Sequence, residues 1–294
     1  MRTIRLAFSP DADDLFMFWP LLEGKVRPQG DALSFVHERV ETEALNARSE
    51  SLDDSAPDVC AVSIAQVPAI ADRYLLLPHG GSVGRKYGPV VVARRPMKLE
   101  ELAGVRVAVP GLRTTAHLVL RLLVSAATNG ETFTPVVVPI TPFERVFRAL
   151  EANEVDAALL IHEGRLTYED DPSLHRVTEL GEAWHGLTGD PLPLGGNVIK
   201  RALGDETIRR VSDACRASIA WSLAHREEVI DAIVDSGVRA EAKVTRARLD
   251  RYLSMYANAD SAGYDETVTR AIHELLARGA QAGLLPRTRV EFAP

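Results

Sequence analysis

The chain has 294 residues, enough for one large domain or two ordinary ones, and 46% apolar with 26% charged residues is a globular balance rather than a disordered one. The net charge of −7 is spread along the chain, so no basic face offers itself to nucleic acid. Two cysteines, Cys60 and Cys215, form no CxxC or metal-ligand spacing, which argues against a disulfide scaffold and is compatible with a reducing compartment.

From the N-terminus, "TIRLAF" (3–8) reads as a strand that runs into a charged loop, with no signal-peptide apolar core and no cleavage site. "ADDLFMFWPLLEG" (12–24) reads as a helix closed by Gly24. "ALSFVHER" (32–39) is a second strand, and "TEALNARSE" (42–50) is a helix with a Thr cap signal. "PDVCAVS" (57–63) is a third strand, followed by a short helix interrupted by Pro68. "YLLLP" and "GPVVVARR" (88–95) are strands, "KLEELAG" a short helix, "VRVAVP" (105–110) a strand, and "TTAHLVLRLLVSAAT" (114–128) an amphipathic helix. "FTPVVVPI" is a strand, "PFERVFRALEANE" (142–154) a helix with Pro in its first turn, and "VDAALLI" (155–161) a strand. "PLGGNVIKRAL" (193–203) is Gly-rich and extended, and from about residue 205 the spacing predicts helix to the end. No apolar run approaches a membrane span, and the chain reads as a soluble cytoplasmic protein; a homodimer is left open.

Alternating strands and helices predict an α/β fold with largely parallel sheets. The division expected is bilobal: residues 94–195 as an inserted lobe, entered through "VVVARR" and left through "PLGGNV", and residues 1–93 with 196–294 as the other. A single doubly wound sheet is the rival arrangement.

Ligands of open α/β sheets bind beyond the carboxyl ends of the strands. After the first strand come Asp11, Asp13 and Asp14, either caps on the following helix or direct ligands of a substrate. No further ligand set accompanies them, so no metal is predicted. After the third strand comes Ser63. After "VRVAVP" come Gly111, Leu112, Arg113, Thr114 and Thr115. Gly111 would let a ligand near the backbone. The helix start would favour an anion, with both hydroxyls as added donors, while either threonine could equally cap its own helix. After "VDAALLI" comes His162, followed by Glu163, Gly164 and Arg165. Neither HExxH, GxSxG, GxxxxGK[ST] nor GxGxxG is present, which leaves His162 as a base or proton shuttle without covalent catalysis, or as a hydrogen-bonded structural histidine; no metal or organic cofactor is expected. Glu163 could cap or orient a partner, with Arg165 paired to it. Among the other histidines only His117, one turn into the Thr114–Thr115 helix, merits attention.

At these residues the chain resembles the 1,4-dihydroxy-6-naphthoate synthases of the futalosine route to menaquinone. "FSPDADDLFMF", "GPVVVAR", "PGLRTTAHLVLRLL", "LIHEGRLTY", "LGEAWHG", "LPLGGN" and "AGLLP" follow in family order over nearly the whole chain. The resemblance implies a bilobal fold like that of type II periplasmic binding proteins. It implies a lyase that fragments cyclic dehypoxanthinyl futalosine, an acidic small molecule, and releases the naphthoate. It also implies that His162 is the proton acceptor, and that Thr114, Thr115, Ser63, Asn46 and Asp14 bind the substrate, with Gly111 and Arg165 beside them. The family's opening motif is usually Cys-Pro-Asn-Asp-Thr, where this chain has Asp11, Ala12, Asp13, Asp14 and Leu15. A lysine often stands where this chain has Ala61. That side of the cleft is therefore more negative, unless Arg113, Arg165 or Lys86 compensates. The readings that rival the lyase are a solute-binding or sensor protein on the same fold, and a related lyase or dehydratase acting on another chorismate-derived acid.

Overall fold

The computed structural model describes residues 2–27, 33–53, 55–237 and 244–294. In chain order the elements are β1 (Arg2–Phe8), α1 (Ala12–Leu22), β2 (Leu33–Arg39), α2 (Thr42–Ser49), β3 (Val59–Ser63), α3 (Val67–Ile70), β4 (Tyr74–Leu76) and β5 (Ser82–Gly84). There follow β6 (Val90–Ala93), β7 (Arg106–Val109), α4 (Thr115–Ala127), β8 (Thr134–Val137), α5 (Glu144–Glu151), β9 (Ala157–Leu160), α6 (Gly164–Thr167), β10 (His175–Glu179) and α7 (Leu180–Thr188). The chain closes with β11 (Leu192–Lys200), α8 (Asp205–Ala224), α9 (Arg226–Asp235), α10 (Arg246–Tyr256), α11 (Ala259–Ala262) and α12 (Glu266–Gln281). Single 3-10 turns lie at Ile64–Gln66, Leu99–Leu102, Tyr168–Asp170 and Arg201–Leu203.

The strands make two sheets. The first has the order β2-β1-β3-β11-β4, with β5 paired to β11, and the second has the order β10-β6-β9-β7-β8. The chain passes between them after β5 and again between β10 and β11. The sheets are mixed rather than largely parallel. β1 runs parallel to β2 and β3, and β7 parallel to β8 and β9. β11 runs antiparallel to β3 and β4, and β6 antiparallel to β9 and β10. The cause is where the chain crosses. Val90 opens β6 beside Leu160, the last residue of β9, and Gly195 of β11 pairs with Ser63, the last residue of β3. A strand that starts where its neighbours end must run away from that edge.

Several local expectations change in detail. Thr42 does not cap α2: Glu41 holds the N-cap position, and Thr42 lies in the first turn. Pro68 does not interrupt a helix but sits at the start of α3, where a missing N–H costs nothing. α7 covers a stretch for which no element was expected, and it ends at Gly189, at φ +77° in the left-handed C-cap conformation. The C-terminal segment is not helical to its end. After Gly283, at φ +69°, the chain turns back to β4. There Leu76 donates to Glu291 O at 3.0 Å, Ala293 donates to Leu76 O at 2.8 Å, and Phe292 bridges Leu76 in parallel. This covers a sheet edge that would otherwise present unpaired backbone groups, and it buries Val290 and Ala293. No described helix is long and apolar enough to cross a membrane.

Truncation after Pro286 removes both edge bonds and two buried apolar side chains. It should lower stability by about 2–4 kcal/mol, read as a fall in the urea midpoint; an unchanged midpoint would mean that the tail only rests on the edge.

Candidate functional site

The carboxyl ends of strands from both sheets converge on one cavity among the described residues. The first sheet supplies Ser9 beyond β1, Ser63 at the end of β3, Ser82 in β5, and Gly195 and Gly196 in β11. The second supplies Thr114, Thr115 and Ala116 beyond β7, and Ile161 and His162 beyond β9. Helices add Asp13 and Asp14 from α1, Thr42 and Leu45 from α2, Arg165 from α6, and Tyr252 and Tyr256 from α10.

Five of the sequence-predicted site residues lie at the cavity beside His162: Asp14, Ser63, Thr114, Thr115 and Arg165. Two stand back from it. Asn46 is wholly buried behind Ser63, donating through Nδ2 to Ser63 Oγ at 3.1 Å and accepting the Ser63 amide at 2.9 Å. Gly111 is packed against Glu43, whose carboxylate an added Cβ would meet at 2.2 Å. Its small size therefore serves the approach of Glu43 to the neighbouring Arg113 rather than that of a ligand. Arg113 is held by Glu43 and Glu50.

The two threonines do not offer free hydroxyl donors. Thr114 caps α4: its Oγ1 accepts the His117 amide and donates to Gly111 O at 2.8 Å. Thr115 Oγ1 donates to Leu194 O at 2.6 Å and accepts the Ala65 amide at 3.1 Å. The cap on His117 leaves the first amides of α4, those of Thr115 and Ala116, for an anion at the positive end of the helix. His117 itself is buried and outside this cavity, its Nδ1 2.9 Å from Leu112 O.

His162 follows β9 with φ +50°, a left-handed backbone that is uncommon outside glycine and tends to occur at functional turns. The imidazole is 17% exposed and faces a polar group at each nitrogen: Nδ1 lies 3.1 Å from Asp11 Oδ2, within ion-pair distance but without hydrogen-bond alignment, and Nε2 lies 3.2 Å from Thr42 Oγ1. Neither partner carried a local signal in the sequence, since Asp11 reads as a helix cap and Thr42 likewise.

The three aspartates of the first loop do not cap α1. Asp11 occupies the N-cap position without a side-chain cap bond. Asp13 accepts from Ser82 Oγ at 2.5 Å and from Tyr252 OH at 3.2 Å, and Asp14 accepts the Ser9 amide at 2.8 Å. The Ala12 amide at the start of α1 is instead taken by Glu163 Oε1, at 2.9 Å, from beyond β9. Glu163 is thus not the partner of Arg165. Arg165 donates to Glu179, at 2.5 Å, and to Gly88 O, at 2.7 Å. Glu179 and the Tyr252–Tyr256 wall are site features that the sequence reading missed; helical spacing marks those tyrosines only as core.

The family described as menaquinone biosynthesis matches residues 4–281. A Thermus thermophilus protein named 1,4-dihydroxy-6-naphthoate synthase is 38% identical, the match covering 97% of this chain and 96% of that protein. A Streptomyces coelicolor protein of the same name is 34% identical, over 97% and 95%. A solved structure from Archaeoglobus fulgidus is 36% identical with a TM-score of 0.83, covering 96% of this chain and 98% of that one. The alkanesulfonate-binding protein of Xanthomonas axonopodis pv. citri has a TM-score of 0.69 at 17% identity, covering 99% and 96%. The last likeness shows the fold: two α/β lobes of the periplasmic-binding-protein type about a cleft.

The cavity has an acidic wall. Burial pushes Asp14 well above the usual carboxylate range, and the charge of Asp13 adds to this against the hydrogen bonds from Ser9. Asp13 is raised too, by burial first and then by Asp11. A carboxyl whose folded-state pKa is raised stabilises the fold fully below its unfolded value and loses that contribution as the pH rises through the folded one. Asp14→Asn keeps an oxygen for the Ser9 amide and removes the charge. It should be more stable than the parent at pH 7, where the raised carboxyl has lost its stabilising contribution. The two should unfold alike near pH 4. Thermal midpoints across that range test this; a gap that did not close at low pH would mean another cause.

Proposed function

The chain belongs to the menaquinone biosynthesis family, and from that premise we propose that it is a carbon–carbon lyase converting cyclic dehypoxanthinyl futalosine to 1,4-dihydroxy-6-naphthoate, with His162 as general base. The observation that carries this reading is the placement of His162. Its imidazole borders the cavity at the end of a buried strand, with a carboxylate at one nitrogen and a hydroxyl at the other. An imidazole with one nitrogen toward the cavity is placed to accept a proton from a bound molecule.

The parts around it divide the work. The free amides at the start of α4, with Ser63 opposite, would hold the substrate carboxylate. The Thr42 hydroxyl, now at Nε2, marks the position that a substrate hydroxyl or C–H group would take. His162 would draw a proton from the sugar-derived part of the substrate, the carbon skeleton would break, and the aromaticity of the naphthoate would drive the fragmentation forward. Leu45, Ile161 and Leu194 give the ring system an apolar bed.

A second reading is favoured by Asp13 and Asp14 at the cavity wall. Arg113 is bound to Glu43 and Glu50, and Arg165 to Glu179, so neither guanidinium neutralises that wall. A related lyase acting on another chorismate-derived acid, with hydroxyl groups against the aspartates, would suit it.

Purified protein should convert cyclic dehypoxanthinyl futalosine to the naphthoate, followed by mass spectrometry. His162→Ala should lower turnover by roughly 10²–10⁴-fold while leaving the thermal midpoint nearly unchanged. Full activity in the variant would remove His162 from the role of base. Binding without product in the parent would move the assignment to the second reading or to a sensor.

A further inference from the structure

We infer that Asp11 is the positioning residue of the base: its carboxylate selects the His162 tautomer with the proton on Nδ1 and holds the imidazolium that forms when Nε2 takes a proton. This rests on the reading of His162 as the base and adds a group, particular to this chain's opening motif, that orients it.

Asp11 is completely buried, and its Oδ2 lies 3.1 Å from Nδ1 of His162. A buried carboxylate facing a ring nitrogen is favourable only when that nitrogen carries a proton; a lone pair there would face the carboxylate's own charge. The other nitrogen agrees. With the proton on Nδ1, Nε2 is an acceptor, and the Thr42 hydroxyl at 3.2 Å can donate to it. One tautomer suits the charge at one nitrogen and the hydroxyl at the other, and it is the one that leaves Nε2 as the acceptor.

The neighbouring acids are occupied elsewhere. Asp13 receives Ser82 and Tyr252, Asp14 receives the Ser9 amide, and Glu163 receives the Ala12 amide. Asp11 alone among them stands at Nδ1. The backbone supports the same geometry: Asp11 sits at the N-cap of α1 without capping it, and His162 turns through a left-handed φ. In the reaction the proton passes from substrate to Nε2, the Asp11 carboxylate faces the imidazolium that forms, and the imidazolium later returns the proton to a product fragment. Asp11 belongs to the first sheet's lobe and His162 to the second, so the tautomer is set only when the two lobes are apposed.

Two measurements test this. The first needs no substrate: long-range ¹⁵N correlation spectra of histidine-labelled protein, with the His162 signals assigned by their loss in His162→Gln. The parent should show the Nδ1–H tautomer, and Asp11→Asn, whose amide can donate to Nδ1, should move the proton to Nε2. The second is turnover. Asp11→Asn should lose roughly 10²–10⁴-fold in kcat with KM changed by less than about threefold, and Asp11→Glu should recover part of that loss. An unchanged tautomer in Asp11→Asn overturns the proposal, as does a loss of kcat that merely follows the folded fraction measured by near-UV circular dichroism. A parent protein with the Nδ1–H tautomer that makes no naphthoate would support the pair and sink the substrate reading alone.

Discussion

The hydrogen bond from the Ala12 amide to the Glu163 carboxylate ties the structure together. The first turn of α1 presents unpaired N–H groups and the positive end of the helix. The carboxylate that meets them comes from beyond β9 in the other lobe, and it is almost fully buried. Because Glu163 is docked on α1, the preceding residue is drawn to the same helix start. There His162 meets Asp11, and α2 brings Thr42 to its far side. One anion–helix contact thus assembles His162, its carboxylate neighbour and a cavity wall from chain segments that no local rule connects.

The same contact concentrates negative charge. Asp11, Asp13, Asp14 and Glu163 crowd one side of the cleft, and burial drives Asp13 and Asp14 upward in pKa. Hydrogen-bond donors meet much of this charge: the Ser9 and Ala12 amides, the Ser82 hydroxyl and the Tyr252 phenol. The guanidinium that does reach the cavity, Arg165, is held by Glu179 and by Gly88 O at the crossing between the sheets. That pair fastens the crossing, so its charge is largely withdrawn from a ligand. An anionic group entering the cleft is therefore better placed on the opposite side, against the amides of α4, with hydroxyls toward the aspartates.

The mixed sheets follow from the same architecture. A cleft between two lobes lies at the carboxyl ends of the parallel strands, and each crossing of the chain delivers a strand there. Those strands, β6 and β11, run away from the cleft and so oppose their neighbours. β11 thereby carries Gly195 and Gly196 along the cavity, and a Cβ at Gly196 would press on Ile64 and Leu76 behind it.

Much of this was legible in the sequence. Alternating apolar runs gave most strands and long helices, because hydrophobic period and helix punctuation are local properties. The placement of His162 at a strand end, of Thr114 at a helix start and of Ser63 beyond β3 followed from the rule that α/β sheets bind ligands at their carboxyl edges. The resemblance over the full chain gave the family. What stayed hidden were the partners. Asp11 looks like a helix cap, Thr42 looks like a cap, and Glu163 and Arg165 look like an ion pair, because each is judged against residues within a turn of it. Their actual partners lie between 14 and 151 residues away. A side chain at a helix start has several satisfactory local bonds of similar strength, and the choice among them is made by whichever distant group the packed lobes bring within about 3 Å.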